Sequence, residues 1–195
     1  MARLDHIAYR VKCRDKTAQF FIDAFGYKVQ KEFPLQFDDG TTCQCIALEP
    51  PEKLPDVNPP WIAKCFSSPP NLDTDAFGLP ELQEYHLPCE TFVSSSDEPG
   101  NIVYEWVKKR DGIGGIHHIA WQVESVEKIM AEWREKGYAE FTTEKPLKCP
   151  EDNLIQVFTK PSELTGGIIF EFIQRGQHGF CSTNVKNLMI STKGL

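Results

Sequence analysis

An internal repeat constrains the fold of this 195-residue chain more than any other feature. The segment LDHIAYRV begins at Leu4, and the similar segment IHHIAWQV begins at Ile116, 112 residues later. In register, His6 aligns with His118, and an isoleucine, an alanine, an aromatic residue and a valine recur at matching positions after each histidine. A duplication of this size predicts a pseudo-symmetric fold built from two similar modules.

Each copy of the repeat is followed by the same series of elements. Apolar residues at helical spacing occupy residues 15–25 after the first copy and 126–133 after the second. Gly26 and Gly137 then stand where helices commonly end. Strand-like segments complete the two modules, at 29–33, 42–48 and 101–107 in the first and at 138–142, 153–159 and 167–174 in the second. The pattern predicts an α+β protein of two βαβββ modules, spanning residues 1–110 and 111–195.

Residues 50–100 interrupt the first module. This range contains proline pairs that begin at positions 50, 59 and 69 and a serine run at 94–96, a composition that breaks regular structure. We expect a long irregular insertion, which either closes over a site or lies on the surface.

Composition narrows the class of protein. The net charge of −7 argues against a nucleic-acid partner, and no apolar run reaches the roughly 18 residues that a membrane span needs. The seven cysteines form no C-x-x-C pair. We therefore expect a cytoplasmic protein with reduced thiols that binds a small molecule.

The repeated strand carries its histidines on a defined face. Side chains alternate along a strand, so His6 shares a face with Ala8, and His118 shares the equivalent face with Ala120. The opposite faces are bulky and should pack on the helices. The small alanines leave room beside the histidines, which predicts a polar cavity. By the same alternation, His117 points the other way or lies at the irregular start of its strand.

A carboxylate completes the candidate site. Glu171 lies within the apolar run IIFEFI, where a buried carboxylate is costly unless it is paired or bound to a metal. Two histidines and one carboxylate are the ligands of the facial triad in non-haem Fe(II) oxygenases. The same donor types could also hold Zn, Mn, Ni or Co.

Five segments extend this pattern, namely DHI at 5–7, GGIHHIAWQV at 114–123, LIQVFTKP at 154–161, FEFIQR at 170–175 and GFCSTNVKNL at 179–188. Together they resemble motifs of the vicinal oxygen chelate (glyoxalase-like) superfamily, and within it the catalytic half of the 4-hydroxyphenylpyruvate dioxygenase family. The resemblance covers nearly the whole chain outside 50–100. It implies metal ligands at His6, His118 and Glu171 and active-site residues at Gln156, Phe158 and Phe180.

The resemblance also implies a reaction. An α-keto acid and dioxygen would be the substrates, Fe(II) the cofactor, and oxidative decarboxylation with hydroxylation the chemistry. It further implies a short lid helix at the C-terminal end and, as in many superfamily members, a homodimer. The chain departs from the family at His117, where the family has glutamine, and at Val185, where it has a second lid phenylalanine. These departures leave the identity of the keto acid open.

Two other functions are compatible with the sequence. The first is a redox-silent lyase or epimerase of the same superfamily, which would take a fourth metal ligand from the end of the first module. Glu105, in NIVYEWV, is the candidate for that ligand. The second is a non-catalytic small-molecule binder, against which the retained triad argues.

Overall fold

A mixed sheet of eight strands forms the centre of the structure, a computed structural model that describes residues 2–51, 89–177 and 179–195. The strands are β1 (Arg3–Val11), β2 (Lys28–Gln36), β3 (Thr42–Glu49), β4 (Glu90–Ser95), β5 (Gly114–Gln122), β6 (Leu147–Lys148), β7 (Ile155–Phe158) and β8 (Ile169–Gln174). The helices are α1 (Arg14–Phe25), α2 (Ile102–Lys108), α3 (Val126–Glu135) and α4 (Ser182–Ser191), with a short 3-10 helix at Glu163–Thr165.

The strand order reveals the duplication. The sheet runs β2-β3-β4-β1-β5-β8-β7-β6, so its second half mirrors its first. The two repeat strands, β1 and β5, pair antiparallel at the centre, and each has the fourth strand of its own module, β4 or β8, parallel to it on the other side. The sheet curls into an incomplete barrel. The predicted α+β fold of paired modules is thereby confirmed.

Helices α1 and α3 cover the outer face of the sheet at equivalent positions. The bulky residues of the repeat strands, Tyr9 and Trp121, pack against the cores beneath these helices, as the alternation predicts. Helix α1 ends at Gly26, whose φ of 73° lies in the left-handed region that glycine tolerates. No helix within the described ranges is both long and apolar enough to cross a bilayer.

The last element of the first module differs from its prediction. Residues 102–108 form helix α2, so the strand predicted at 101–107 is wrong. Its β-branched and aromatic residues favour a strand locally. However, the side-chain oxygen of Asn101 accepts a hydrogen bond from the Val103 N–H at 2.8 Å and caps a helix, whose buried residues Val103, Trp106 and Val107 lie on one face.

The fourth strand of the first module lies inside the range predicted to be irregular. β4 occupies Glu90–Ser95, so the prediction of an insertion over all of 50–100 is wrong for its C-terminal part. Residues 52–88 lie outside the described residues, and the role of the insertion there stays a prediction. In the second module, the predicted strand 138–142 is reduced to a single bridge from Phe141 to Thr159, and β6 forms the edge instead.

Helix α4 covers the concave side of the sheet. It buries Val185, Leu188 and Met189 against that side. Cys181 immediately precedes the helix and forms a disulfide with Cys149, which is 32 residues distant in sequence and 6.3 Å away between Cα atoms. The expectation of reduced thiols is therefore wrong for this pair, whereas the other described cysteines are free. No local spacing signals the pair, because only the fold brings its members together.

Candidate metal centre

Three buried side chains converge on the concave side of the sheet. The Nε2 atoms of His6 and His118 lie 3.3 Å apart. The Oε2 atom of Glu171 lies 3.3 Å from the first and 3.0 Å from the second. The structure thus brings together the three residues that the sequence predicts as metal ligands.

Strand register explains why these side chains meet. In the antiparallel pair of β1 and β5, His6 lies opposite Ala120, and His118 lies opposite Ala8. Glu171 on β8 pairs with Ala120 from the other side. Each histidine therefore faces an alanine across the central pair, and the small methyl groups leave space into which all three polar side chains project.

The donor set fits a divalent metal ion. Bonds of about 2.0–2.2 Å to a shared ion place two ligand atoms about 3.0 Å apart at right angles and about 3.4 Å apart at tetrahedral angles. The observed separations of 3.0–3.3 Å match this range. Within the described parts of the chain, the cluster contains no further histidine, cysteine, aspartate or glutamate.

Burial and mutual attraction shift the protonation of the three groups. Burial alone would raise the pKa of Glu171, but the charge on His6 and hydrogen bonds from both histidines hold that pKa well below its usual range. Burial alone would lower the pKa of His6, but the charges and hydrogen bonds of Glu171 and Asp5 raise it to about 9. Burial lowers the pKa of His118. A proton on His6 therefore pairs with the Glu171 carboxylate when no cation is bound there.

A bulge in β1 orients the first histidine. The register between β1 and β5 skips one residue at Asp5, and this places its carboxylate beside His6. The Nδ1 atom of His6 donates to Asp5 Oδ1 at 2.7 Å, which directs Nε2 toward the other two side chains. Arg175 in turn holds Asp5 with two hydrogen bonds, of 2.6 and 2.9 Å, and also binds Glu90 at 2.6 Å.

A second bulge corrects the prediction for His117. Ala8 pairs with His118, and the next residue, Tyr9, pairs with Ile116. His117 is therefore the extra, unpaired residue of a bulge in β5. Strand alternation fails at such a point, because the extra residue turns the chain. His117 is buried on the same side as His118, and their Nδ1 atoms are 2.8 Å apart. The prediction that His117 points away is wrong.

Gln156 holds the third member of the cluster. Its Nε2 atom donates to Glu171 Oε1 at 2.6 Å, which leaves Oε2 for the two histidines. Its own Oε1 accepts from Asn184 of helix α4 at 3.1 Å. Both amide side chains are buried. This chain of contacts links helix α4 to the candidate ligand Glu171.

His118 and Glu171 line a cavity that is partly open to solvent, and His6 is not among the described residues that line it. The ring of Phe158 lies 4.6 Å from that of His118, and the ring of Phe180 lies 5.1 Å from that of His6. Both predicted phenylalanines thus form walls beside the histidines. The remaining described lining residues are Ala8, Tyr9, Arg10, Phe92, Ser94, His117, Gln156, Val185, Leu188 and Met189.

In the described part of the first module, no carboxylate occupies a position equivalent to that of Glu171. Ala8 pairs with Phe92 on β4, as Ala120 pairs with Glu171 on β8, so Phe92 occupies the position equivalent to the carboxylate. The Phe92 ring lines the cavity and lies 5.2 Å from that of Phe180. Glu105, the candidate fourth ligand, lies on α2 outside the cluster, where its Oε1 accepts from the Gly100 N–H at 3.1 Å.

Several residues of the site escape prediction from the sequence. Asp5, Arg175 and Asn184 belong to the segments that carry the resemblance, but no role was predicted for them. The sequence does single out Asp5, because the repeat aligns Asp5 before His6 with His117 before His118.

Comparison with known proteins supports the fold. No family model and no curated protein sequence matches the chain. Among solved structures, a substituted 4-hydroxymandelate synthase from Streptomyces coelicolor matches with a TM-score of 0.69 at 18% identity, over 98% of this chain and 53% of the other. This chain thus spans about half the length of that enzyme.

Methylmalonyl-CoA epimerases match as well. One matches with a TM-score of 0.59 at 20% identity, over 89% of this chain and 95% of the other. The epimerase from Mycobacterium tuberculosis matches with a TM-score of 0.57 at 15% identity, over 90% of this chain and 89% of the other. The synthase and the epimerases are vicinal oxygen chelate proteins, and the chain therefore has the vicinal oxygen chelate fold that its motifs predict.

Proposed function

We propose that this chain is a metal-dependent dioxygenase, with Fe(II) as its working ion, that acts on an α-keto acid by oxidative decarboxylation and hydroxylation. Dioxygen is the second substrate. The observation that carries the proposal is the pair of equivalent positions occupied by Phe92 and Glu171. The first module places an aromatic ring where the second places a carboxylate, so the site offers three ligands among the described residues.

Three protein ligands suit this chemistry for a physical reason. Two histidines and one carboxylate leave further positions of an octahedral ion open. Bound Fe(II) would supply the one-electron chemistry that dioxygen activation requires. A fourth protein ligand would occupy a position that the keto acid or dioxygen needs, and a phenyl ring cannot act as one.

The chain's own residues would hold and shield the reactants. Gln156 would keep one oxygen of Glu171 engaged, so that the other remains directed at the ion. Phe158 and Phe180 would pack against the body of the substrate beside the histidines and exclude water from it. Helix α4 closes this side of the cavity through Val185 and Leu188. A dry cavity limits the loss of reactive species to water.

The redox-silent alternative has weaker support. The fold similarity extends to epimerases as well as to the synthase, and therefore does not separate the two chemistries. A lyase or epimerase of the kind anticipated from the sequence needs a fourth ligand from the first module. Phe92 provides none, and Glu105 lies elsewhere.

Oxygen consumption tests the proposal. The protein would be reconstituted with Fe(II) without air and then mixed with aerated buffer, 4-hydroxyphenylpyruvate and a panel of other α-keto acids. We expect uptake that depends on one class of keto acid, releases carbon dioxide in equal amount and is abolished by Glu171→Gln. Glu140→Gln, an exposed carboxylate paired with Lys160, is the matched control that should retain uptake. Iron-loaded protein without uptake across the panel would favour the redox-silent alternative.

A further inference from the structure

Arg10 places a buried positive charge in the wall of the cavity. It lies on the same face of β1 as His6 and Ala8, and its side chain is 2% exposed. Its Nη2 atom donates to the neutral hydroxyl of Thr192 at 3.1 Å. Its Nη1 atom is buried and has no hydrogen-bond partner among the described residues.

The charge of Arg10 lacks a carboxylate partner in the described part of the chain. No ion pair joins Arg10 to an aspartate or glutamate there, in contrast to Arg175, which holds two carboxylates. The nearby thiols of Cys43 and Cys45 contact each other, with Sγ atoms 3.8 Å apart. Burial lowers the pKa of Arg10 to about 9, although Cys43 and Cys45 act in the opposite direction. A buried cation without a partner is unusual unless a ligand supplies the partner.

His117 adds a second unsatisfied group to the same cavity. Its Nε2 atom is buried without a partner among the described residues, and its ring packs 5.5 Å from that of Trp106. The guanidinium of Arg10 lies 5.8 Å from the same indole ring. If Nε2 of His118 binds a metal, then its Nδ1–H donates to His117 Nδ1, and the proton of His117 lies on Nε2. Arg10 and His117 then both offer N–H donors.

We infer that Arg10, assisted by His117, binds a second carboxylate of the substrate, so that the preferred substrate is an α-keto dicarboxylate whose far end carries an acidic group. This inference rests on the proposed function. A divalent ion, Glu171 and Arg10 together give a net charge of +2, which a dianion neutralises and a simple keto acid does not. His6 and Arg10 are four residues apart on one strand, about 13 Å between Cα atoms. The second carboxylate therefore lies several bonds from the chelating end.

The test compares ligands that differ in the second carboxylate alone. Isothermal titration of Mn(II)-loaded protein without air would measure 2-oxoadipate against 2-oxohexanoate, and 4-carboxyphenylpyruvate against phenylpyruvate. We expect the dicarboxylate of at least one pair to bind at least about 10-fold more tightly, as charge-assisted hydrogen bonds to a buried group imply. Arg10→Gln should remove this preference.

Arg110→Gln is the matched control. Arg110 is exposed, lies on the same Trp106 ring at 3.6 Å and does not line the cavity, so its removal tests the loss of a nearby positive charge outside the cavity. The preference should survive this change. Equal affinities within both pairs on the wild-type protein, or a preference that persists in Arg10→Gln, would overturn the inference. The wild-type comparison decides the matter even if Arg10→Gln does not fold.

Failure of the two proposals can be told apart. Binding to Mn(II)-loaded protein requires no turnover, so a preference for dicarboxylates that depends on Arg10 supports the inference even if Fe(II) protein consumes no oxygen. Conversely, oxygen uptake with a monocarboxylate as good as its dicarboxylate partner would uphold the dioxygenase and overturn the role of Arg10.

Discussion

Asp5 and His117 occupy equivalent bulges in the two central strands, and each forms a hydrogen bond with Nδ1 of the histidine that follows it. The distances are 2.7 Å for Asp5 with His6 and 2.8 Å for His117 with His118. Each bulge places two consecutive side chains on the concave side, one as a candidate ligand and one as its support. The duplication thus repeats a way of directing the histidine Nε2 atom toward Glu171.

Loss of either support should weaken metal binding without abolishing it. Above pH 9, where His6 is deprotonated in every variant, we expect Asp5→Asn and His117→Phe each to reduce the affinity for Mn(II) or Zn(II) by about 10- to 100-fold, the usual effect of removing a group that orients a histidine ligand. His118→Ala should remove measurable binding. Metal titration measures all three variants, with Asp23→Asn on the exposed surface of α1 as the control. Unchanged affinity in both support variants would contradict this role.

Metal affinity should rise with pH up to the pKa of His6. That pKa is raised to about 9, so His6 carries a proton over the neutral range and must lose it to bind a cation. The proton competes with the metal, and we expect the apparent affinity to increase about 10-fold per pH unit from roughly 7 to 9 and then to level off. Metal titrations at several pH values give the slope. Asp5→Asn should move the plateau to lower pH, because Asp5 helps to raise the pKa of His6. A metal affinity of the wild type that does not change with pH would contradict the pairing of protonated His6 with Glu171.

A carboxylate introduced at the position of Phe92 should convert the site. Phe92→Glu would restore the symmetry with Glu171 and offer a fourth ligand. We expect Zn(II) to bind at least about 10-fold more tightly and oxygen uptake by the Fe(II) protein to be lost. Phe92→Leu is the control, which should retain both the wild-type metal affinity and the uptake. Full oxygen uptake by Phe92→Glu would show that the absence of a carboxylate at this position does not decide the reaction.

The disulfide between Cys149 and Cys181 should stabilise the attachment of helix α4 to the sheet. It joins the start of α4 to a loop of the sheet 32 residues earlier, and closure of a loop of that size contributes about 2–4 kcal/mol. We expect Cys181→Ser, or a reducing agent, to lower the free energy of unfolding in urea by this amount. Cys89→Ser, which removes a free thiol, serves as the control. A wild-type protein whose stability is unaffected by reduction would contradict the expectation.

The repeat made part of the site predictable. His6 and His118 follow from strand alternation and duplication, and Glu171 follows from the cost of a buried carboxylate. The orientation of His117 could not be predicted, because a bulge breaks the alternation and leaves no mark in a single sequence. Strand pairing was also needed to reveal that Phe92 is the counterpart of Glu171.

The fold was predictable to a similar extent. The order of elements in each module follows from periodicity and turn signals. The strand predicted at the end of the first module is wrong. Ile102 and Val103 favour a strand locally, but the cap at Asn101 and the packing of Trp106 favour a helix. The disulfide joins residues that only the tertiary structure brings together. Local sequence patterns do not predict features that depend on packing between distant parts of the chain.

Isotope incorporation from ¹⁸O₂ tests the central claim most directly. The Fe(II) protein would turn over its best keto acid under ¹⁸O₂, and the product would be examined by mass spectrometry. Oxidative decarboxylation with hydroxylation predicts two labelled atoms, one in the new carboxylate and one in the new hydroxyl group, with one carbon dioxide released per product. A product without label, or an isomer of the substrate formed without oxygen, would contradict the account.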